Sequence, residues 1–158
     1  LHHNVIGDEF LKYVHDIDIS FMKEDKIMRN ELENLDMEKF IFTNGSAEHA
    51  QNILTRLGIY DLFGKEKVFD IKDAGYVPKP EAQTFDLMVK KFGIKPKETI
   101  YIEDIAKNLS TGFEKGCTTV WLINDEHFGK IDSDKDYISH KIENLSLFLK
   151  EIRLLKSK

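Results

Sequence analysis

Thr99-Ile100-Tyr101-Ile102-Glu103-Asp104 is a run of β-branched and aromatic residues that ends abruptly on two acids. Unbroken apolarity, as opposed to alternation, marks a strand covered on both faces, as in parallel sheets with helices packed above and below. Outward from it lie similar runs: Lys39-Phe40-Ile41-Phe42-Thr43, Lys67-Val68-Phe69-Asp70-Ile71, Thr118-Thr119-Val120-Trp121-Leu122-Ile123 and the shorter Tyr137-Ile138-Ser139. Helical periodicity fills the gaps. Residues 46–57 set Ala47, Ala50, Ile53, Leu54 and Leu57 on one face before Gly58, and residues 81–92 repeat the pattern before Gly93. Residues 106–115 and 144–156 read as two more helices. Strands and helices in alternation predict a doubly wound α/β domain with a parallel sheet. Residues 7–34 differ, reading as helices and a turn without a strand, and are expected to be an appendage or cap.

The composition narrows the function. With 158 residues the chain suits one ordinary domain, and 41% hydrophobic with 32% charged residues is a globular balance. A net charge of −5, with lysines interleaved among acids, argues against a nucleic-acid partner, which calls for a basic stripe. Cys117 is the one cysteine, so no intrachain disulfide forms, and a cytoplasmic setting is expected. No apolar run nears the ~20 residues that span a bilayer, so no membrane partner is expected. The chain starts at Leu1-His2-His3-Asn4 with no initiator methionine and no secretory pattern, which suggests a processed or partial chain.

In open parallel sheets ligands bind beyond the carboxyl ends of the strands, so the residues there are the candidates. After the first run comes Thr43-Asn44-Gly45-Ser46: a hydroxyl, an amide, a glycine allowing close approach, and a helix start with Ser46 as N-cap. Such a group suits a phosphate, although it is also a common turn and cap sequence. After the second comes Val77-Pro78-Lys79-Pro80, where two prolines stiffen the backbone around a cation. After the third, Glu103 and Asp104 place adjacent carboxylates at a strand exit, a costly arrangement unless a cation neutralises them. Hard oxygen donors on a short turn suit Mg²⁺, while acidic capping of the following helix is compatible with the same residues.

This ordered set resembles the haloacid-dehalogenase superfamily of phosphohydrolases over nearly the whole chain. Phe40-Ile41-Phe42-Thr43-Asn44-Gly45 is similar to the family's second motif, Lys79 to its third, and Tyr101-Ile102-Glu103-Asp104 with Asn108 to its fourth. The tightest match is to the branch with a small helical cap, pyrimidine-5′-nucleotidase-like members included. The resemblance implies a three-layer, Rossmann-like core over residues 37–158 and the tail of a cap with its linker over residues 1–36. It implies that Thr43, Asn44 and Gly45 bind the phosphoryl group, that Lys79 steadies it and the nucleophile, and that Thr43 and Lys79 are catalytic. Asp104 is the expected direct Mg²⁺ ligand, with Glu103 ligating or orienting a metal-bound water, and Asn108 bracing the loop from behind. The implied activity is Mg²⁺-dependent hydrolysis of a small phosphorylated metabolite, a nucleoside monophosphate being one candidate, through an aspartyl-phosphate.

Two departures bear on this. Ile105 stands where relatives often carry serine, leaving the turn less polar. The family's opening strand with Asp-x-Asp-x-Thr has no counterpart before Phe40. Asp16-Ile17-Asp18-Ile19-Ser20 has the spacing but follows an amphipathic helical pattern, so it is expected to be a decoy. The 158-residue chain alone is therefore expected not to hydrolyse phosphomonoesters. The competing reading is a non-catalytic remnant that binds phosphate or a partner; a phosphoacceptor receiver domain is excluded because its acidic pair comes first and its lysine last. Of the remaining features, His2, His3 and His15 show no metal-site spacing and are expected to be exposed or to pack in the cap; His49, one helical turn past Gly45, could approach a phosphate but is expected to face outward. Cys117 and Trp121 are expected in the core, and Tyr76 is a candidate substrate contact.

Overall fold

A computed structural model of the chain describes residues 7–156; His2 and His3 lie outside the described residues. It resolves into two compact units, Leu1–Tyr76 and Val77–Lys158.

The first unit runs α1 (Gly7–Val14), α2 (Lys26–Asn34), β1 (Ile41–Phe42), α3 (Ala47–Arg56) and β2 (Val68–Phe69), with two 3-10 turns before β2. β1 and β2 pair in parallel, Ile41 opposite Val68 and Phe42 opposite Phe69, and the two phenyl rings meet edge to face at 5.5 Å. Val68 and Phe69 are buried, as the unbroken apolar run requires. Asp25 caps α2 by accepting the Met28 N–H at 2.8 Å, and its own N–H donates to the Leu57 carbonyl at 3.0 Å. Arg29 then grips Asp61 with two parallel 2.7 Å hydrogen bonds and also donates to the Gly58 carbonyl. These contacts tie α2 to the chain that leaves α3, where Gly58 turns at φ +73°.

The second unit holds α4 (Ala82–Phe92), β3 (Ile100–Glu103), a 3-10 turn (Ala106–Leu109), α5 (Ser110–Glu114), β4 (Thr118–Leu122), β5 (His140–Ile142) and α6 (Leu145–Lys156). Its sheet is parallel in the order β3-β4-β5, with Tyr101 opposite Thr119 and Trp121 opposite Lys141. The α/β class with parallel strands and flanking helices is thus observed, the strands forming one sheet in each unit.

Two element boundaries differ from expectation. The last strand falls at His140–Ile142, after the Tyr137–Ser139 run. There the buried Thr119 hydroxyl donates to the Tyr137 carbonyl at 2.6 Å and accepts the Ser139 N–H at 3.0 Å. A side chain takes the bonds a ladder would have used, so backbone pairing starts at His140. The predicted helix 106–115 begins as a 3-10 turn: the Ala106 N–H is taken by the Gly129 carbonyl and the Asn108 N–H by Ile105, three residues back.

Tyr101 sets a further constraint. Its ring meets Phe85 edge to face at 5.9 Å, and a Cβ on Gly112 would lie 2.5 Å from its Cδ1. Gly112→Ala adds helix propensity worth ~1 kcal/mol. Overpacking a ring already wedged against Phe85 outweighs it, with a net loss of about 1–2 kcal/mol expected. Urea unfolding measures it directly, and an unchanged or raised midpoint contradicts the packing.

Candidate active site

In the first unit the turn after β1 is held from three sides. The Thr43 N–H extends the ladder to the Phe69 carbonyl at 3.0 Å, and the Thr43 hydroxyl accepts the Gly45 N–H at 2.9 Å. The Gly45 carbonyl accepts from Ile71 N–H at 3.2 Å, fixing the far side to the segment after β2. Ser46 caps α3, accepting the His49 N–H at 3.2 Å.

Asp70, with 5% of its surface exposed, organises the turn, although in sequence it reads as part of a strand. One carboxylate oxygen accepts the Ala47 N–H at 2.8 Å, and the other accepts from Lys72 and Asp73 at 3.0 and 2.9 Å. A consequence corrects one expectation. The Ala47 and His49 N–H groups at the start of α3 are spoken for by Asp70 and Ser46, so they are not open donors for an anion. Glu48 is held below the ordinary carboxylate range, first by a hydrogen bond from its own backbone N–H. The Thr43 hydroxyl, which takes the Gly45 N–H, lies beside the His15 ring over Gly45.

His15 also arrives at this turn, from the residue after α1, and its ring stacks on His49. No spacing in the sequence announces that contact. Asp16 and Asp18 lie in irregular chain beyond a helix, both exposed, with Asp18 Oδ1 accepting the Ser20 N–H at 2.8 Å. No strand precedes them among the described residues. Tyr76 adopts φ 64°, and its ring lies where a Cβ on Gly7 would be, 2.5 Å from its Cε1.

In the second unit Lys79, Glu103 and Asn108 come together. Lys79 Nζ donates to Glu103 Oε2 at 2.6 Å, with both side chains under a tenth exposed. Asn108, itself buried, donates through Nδ2 to the other oxygen, Glu103 Oε1, at 3.0 Å. Two threonines fasten the loop that carries Lys79: Thr84 Oγ1 donates to the Val77 carbonyl at 2.6 Å, and Thr111 Oγ1 donates to the Pro80 carbonyl. The Lys79–Pro80 peptide bond is cis. The two threonines hold the lysine's loop, and Glu103 holds its ammonium.

Asp104 is placed differently. Its side chain is exposed, while its carbonyl accepts Trp121 Nε1–H at 3.0 Å and Asn124 Nδ2–H at 2.7 Å. The Trp121 ring is in the core, as its sequence setting suggests, and also clamps the backbone of the acidic pair. Gly129 lets Asn124 approach, since a Cβ there would lie 2.4 Å from Asn124 Oδ1. Cys117 is buried, and burial pushes its thiol up to about 11, so it is no nucleophile near neutrality.

The fit to Mg²⁺ rests on this chemistry. Among the described residues no cluster of three or more His, Cys, Asp or Glu side chains is present. Mg²⁺ does not need one, taking one or two carboxylates with waters and substrate phosphate completing the octahedron. Asp104, an exposed carboxylate on a clamped backbone, suits that role. Both oxygens of Glu103 are engaged, by Lys79 and by Asn108.

Parallel strands with flanking helices make the chain an α/β protein, with polar side chains at the strand exits of each unit. The chain belongs to the haloacid dehalogenase-like hydrolase family, whose sequence pattern matches residues 26–113. A glyceraldehyde 3-phosphate phosphatase from Methanocaldococcus jannaschii is 27% identical over 127 residues, covering 80% of this chain and 54% of that protein. The chain therefore spans about half the length of that relative. A haloacid dehalogenase family hydrolase from Deinococcus radiodurans, solved with phosphate and sodium, aligns with a TM-score of 0.66 at 18% identity, over 99% of this chain and 77% of that one. L-2-haloacid dehalogenase from Xanthobacter autotrophicus, with chloropropionic acid covalently bound, aligns at 0.61 and 16% identity, over 79% and 59%. At such identities the two structures speak for the fold alone. No described helix is long and apolar enough to cross a membrane.

Proposed function

We propose that this chain carries the phosphate-gripping and Mg²⁺-holding part of a phosphomonoester hydrolase that acts on a small phosphorylated metabolite in the cytoplasm. The observation that carries the reading is the buried Lys79–Glu103 pair at the exit of β3, braced by Asn108, beside the exposed carboxylate of Asp104. A lysine held this rigidly keeps a fixed positive charge where a phosphoryl group gathers negative charge, and such preorganised electrostatics are the main source of catalysis in this chemistry. The Thr43 hydroxyl, the Asn44 amide and the Gly45 backbone grip phosphoryl oxygens. Asp104 holds Mg²⁺, and Glu103 orients Lys79. When bound, Mg²⁺ supplies charge neutralisation at the phosphoryl oxygens.

The name of the archaeal relative suggests a three-carbon sugar phosphate as one substrate class, and the resemblance to nucleotidases suggests another. In the full-length protein, hydrolysis of p-nitrophenyl phosphate is expected with Mg²⁺, to be abolished by a chelator and restored by excess Mg²⁺. Turnover that survives chelation removes the metal from the proposal. No turnover at any Mg²⁺ concentration removes the phosphatase.

A further inference from the structure

His15 and His49 come from different elements, 34 positions apart by residue number, yet their rings stack at 4.1 Å with 7° between planes. His15 Nδ1 lies 3.3 Å from the Ser46 hydroxyl that caps α3. Its other nitrogen, Nε2, lies 3.2 Å from the point where Gly45 would carry a Cβ, and the Thr43 hydroxyl oxygen lies 3.3 Å from that same point. One ring nitrogen is therefore anchored to the helix cap, and the other lies with the Thr43 hydroxyl against the Gly45 turn, in the space a side chain there would take. A flat, half-buried ring held from two sides loses little freedom when a ligand arrives.

The structure assigns to His15 a role not carried by the phosphate-loop residues: we propose that Nε2 is a proton-dependent donor to the anion bound at the Thr43–Gly45 turn, with His49 as its stacking support. The assignment rests on the phosphate-loop reading above. Without an anion both rings are held below the ordinary histidine range, chiefly by burial, and His15 also by its proximity to His49. Glu48 faces the pair from α3 and acts in the opposite direction on His15; Lys72 offsets part of that charge from 4.0 Å. Lys12 and Asp16 flank His15 on its own segment. An anion at the turn adds a counter-charge that favours the imidazolium, so anion binding takes up a proton and strengthens as pH falls.

Sulfate is the probe, because its charge does not change between pH 5.5 and 7.5. Calorimetric titration of the full-length protein should show sulfate bound about five- to tenfold more tightly at pH 5.5, the gain of one charge-assisted hydrogen bond at a partly exposed site. His15→Gln should lose most of that gain while leaving the pH 7.5 affinity near wild type. His15→Lys should bind tightly at both pH values. Thr43→Val, which removes the loop hydroxyl, should abolish binding in every background. Should sulfate bind with the same pH dependence in wild type and His15→Gln, the histidine assignment fails and the loop reading stands. Should wild type bind no sulfate, or Thr43→Val bind it unchanged, both fail. Thermal melts of each variant in the absence of sulfate separate loss of binding from loss of fold.

Discussion

Replacing Lys79 by methionine should destabilise the protein by about 3–5 kcal/mol, a large share of the ~5–15 kcal/mol that holds a typical domain together. The size of the effect comes from what is left behind. Glu103 is 8% exposed in its side chain, and its Oε2 loses a charged partner at 2.6 Å while Asn108 continues to serve only Oε1. A buried carboxylate that loses its only cationic partner among these contacts, keeping Asn108 and the long Ile105 N–H bond on Oε1, costs far more than the intact pair contributes. The second substitution tests this reasoning. Lys79→Met combined with Glu103→Gln removes the stranded charge and keeps a carbonyl oxygen for Asn108, so most of the lost stability should return. On the proposed function activity should not return, because the cation assigned to the phosphoryl group is gone. Urea unfolding of both variants, alongside turnover under conditions where each is folded, checks the pair of outcomes. A loss below about 1 kcal/mol in the single variant would show that water reaches Glu103 and that the pair behaves as a surface contact.

The contrast between Lys79 and its supports shows what a sequence discloses. Val77-Pro78-Lys79-Pro80 is legible because prolines constrain their own neighbourhood, and the apolar runs are legible because burial on both faces writes itself into consecutive residues. Thr84 and Thr111, which fasten the lysine's loop, leave no such trace. Thr111 reaches Pro80 across 31 positions, and one hydroxyl meeting one carbonyl generates no period or pattern. Asp70 was hidden for another reason: it sits at the end of an apolar run, where an acid reads as a strand terminus, and its three backbone partners come from two segments. His15 shows no metal-site spacing, and ring stacking with a residue 34 positions away leaves no spacing of its own. The misplacement of β5 has the same origin, since Tyr137-Ile138-Ser139 looks like a strand until the Thr119 hydroxyl takes its backbone bonds. Local chemistry specifies elements and their ends; long-range polar contacts follow from topology.

Asp104→Asn should separate function from folding where Lys79→Met joins them. The amide matches the carboxylate in size, the side chain is exposed, and the backbone carbonyl that receives Trp121 and Asn124 is untouched. Stability should therefore stay within about 0.5 kcal/mol of wild type, the range for surface positions without special bonding. Turnover of a phosphomonoester should nevertheless fall by about two to three orders of magnitude, comparable to the removal of one preorganised group from a developing charge. An amide oxygen is a weaker, neutral donor for a hard cation, so the Mg²⁺ concentration for half-maximal activity should rise as well. Glu103→Gln gives the opposite pattern, because its carboxylate serves Lys79: the loss appears in turnover and stability, with the Mg²⁺ requirement little changed. Two Mg²⁺ titrations of activity thus decide which acid holds the metal. A raised requirement in Glu103→Gln with a normal one in Asp104→Asn would exchange the two roles, and unchanged turnover in Asp104→Asn would remove this residue from the metal site.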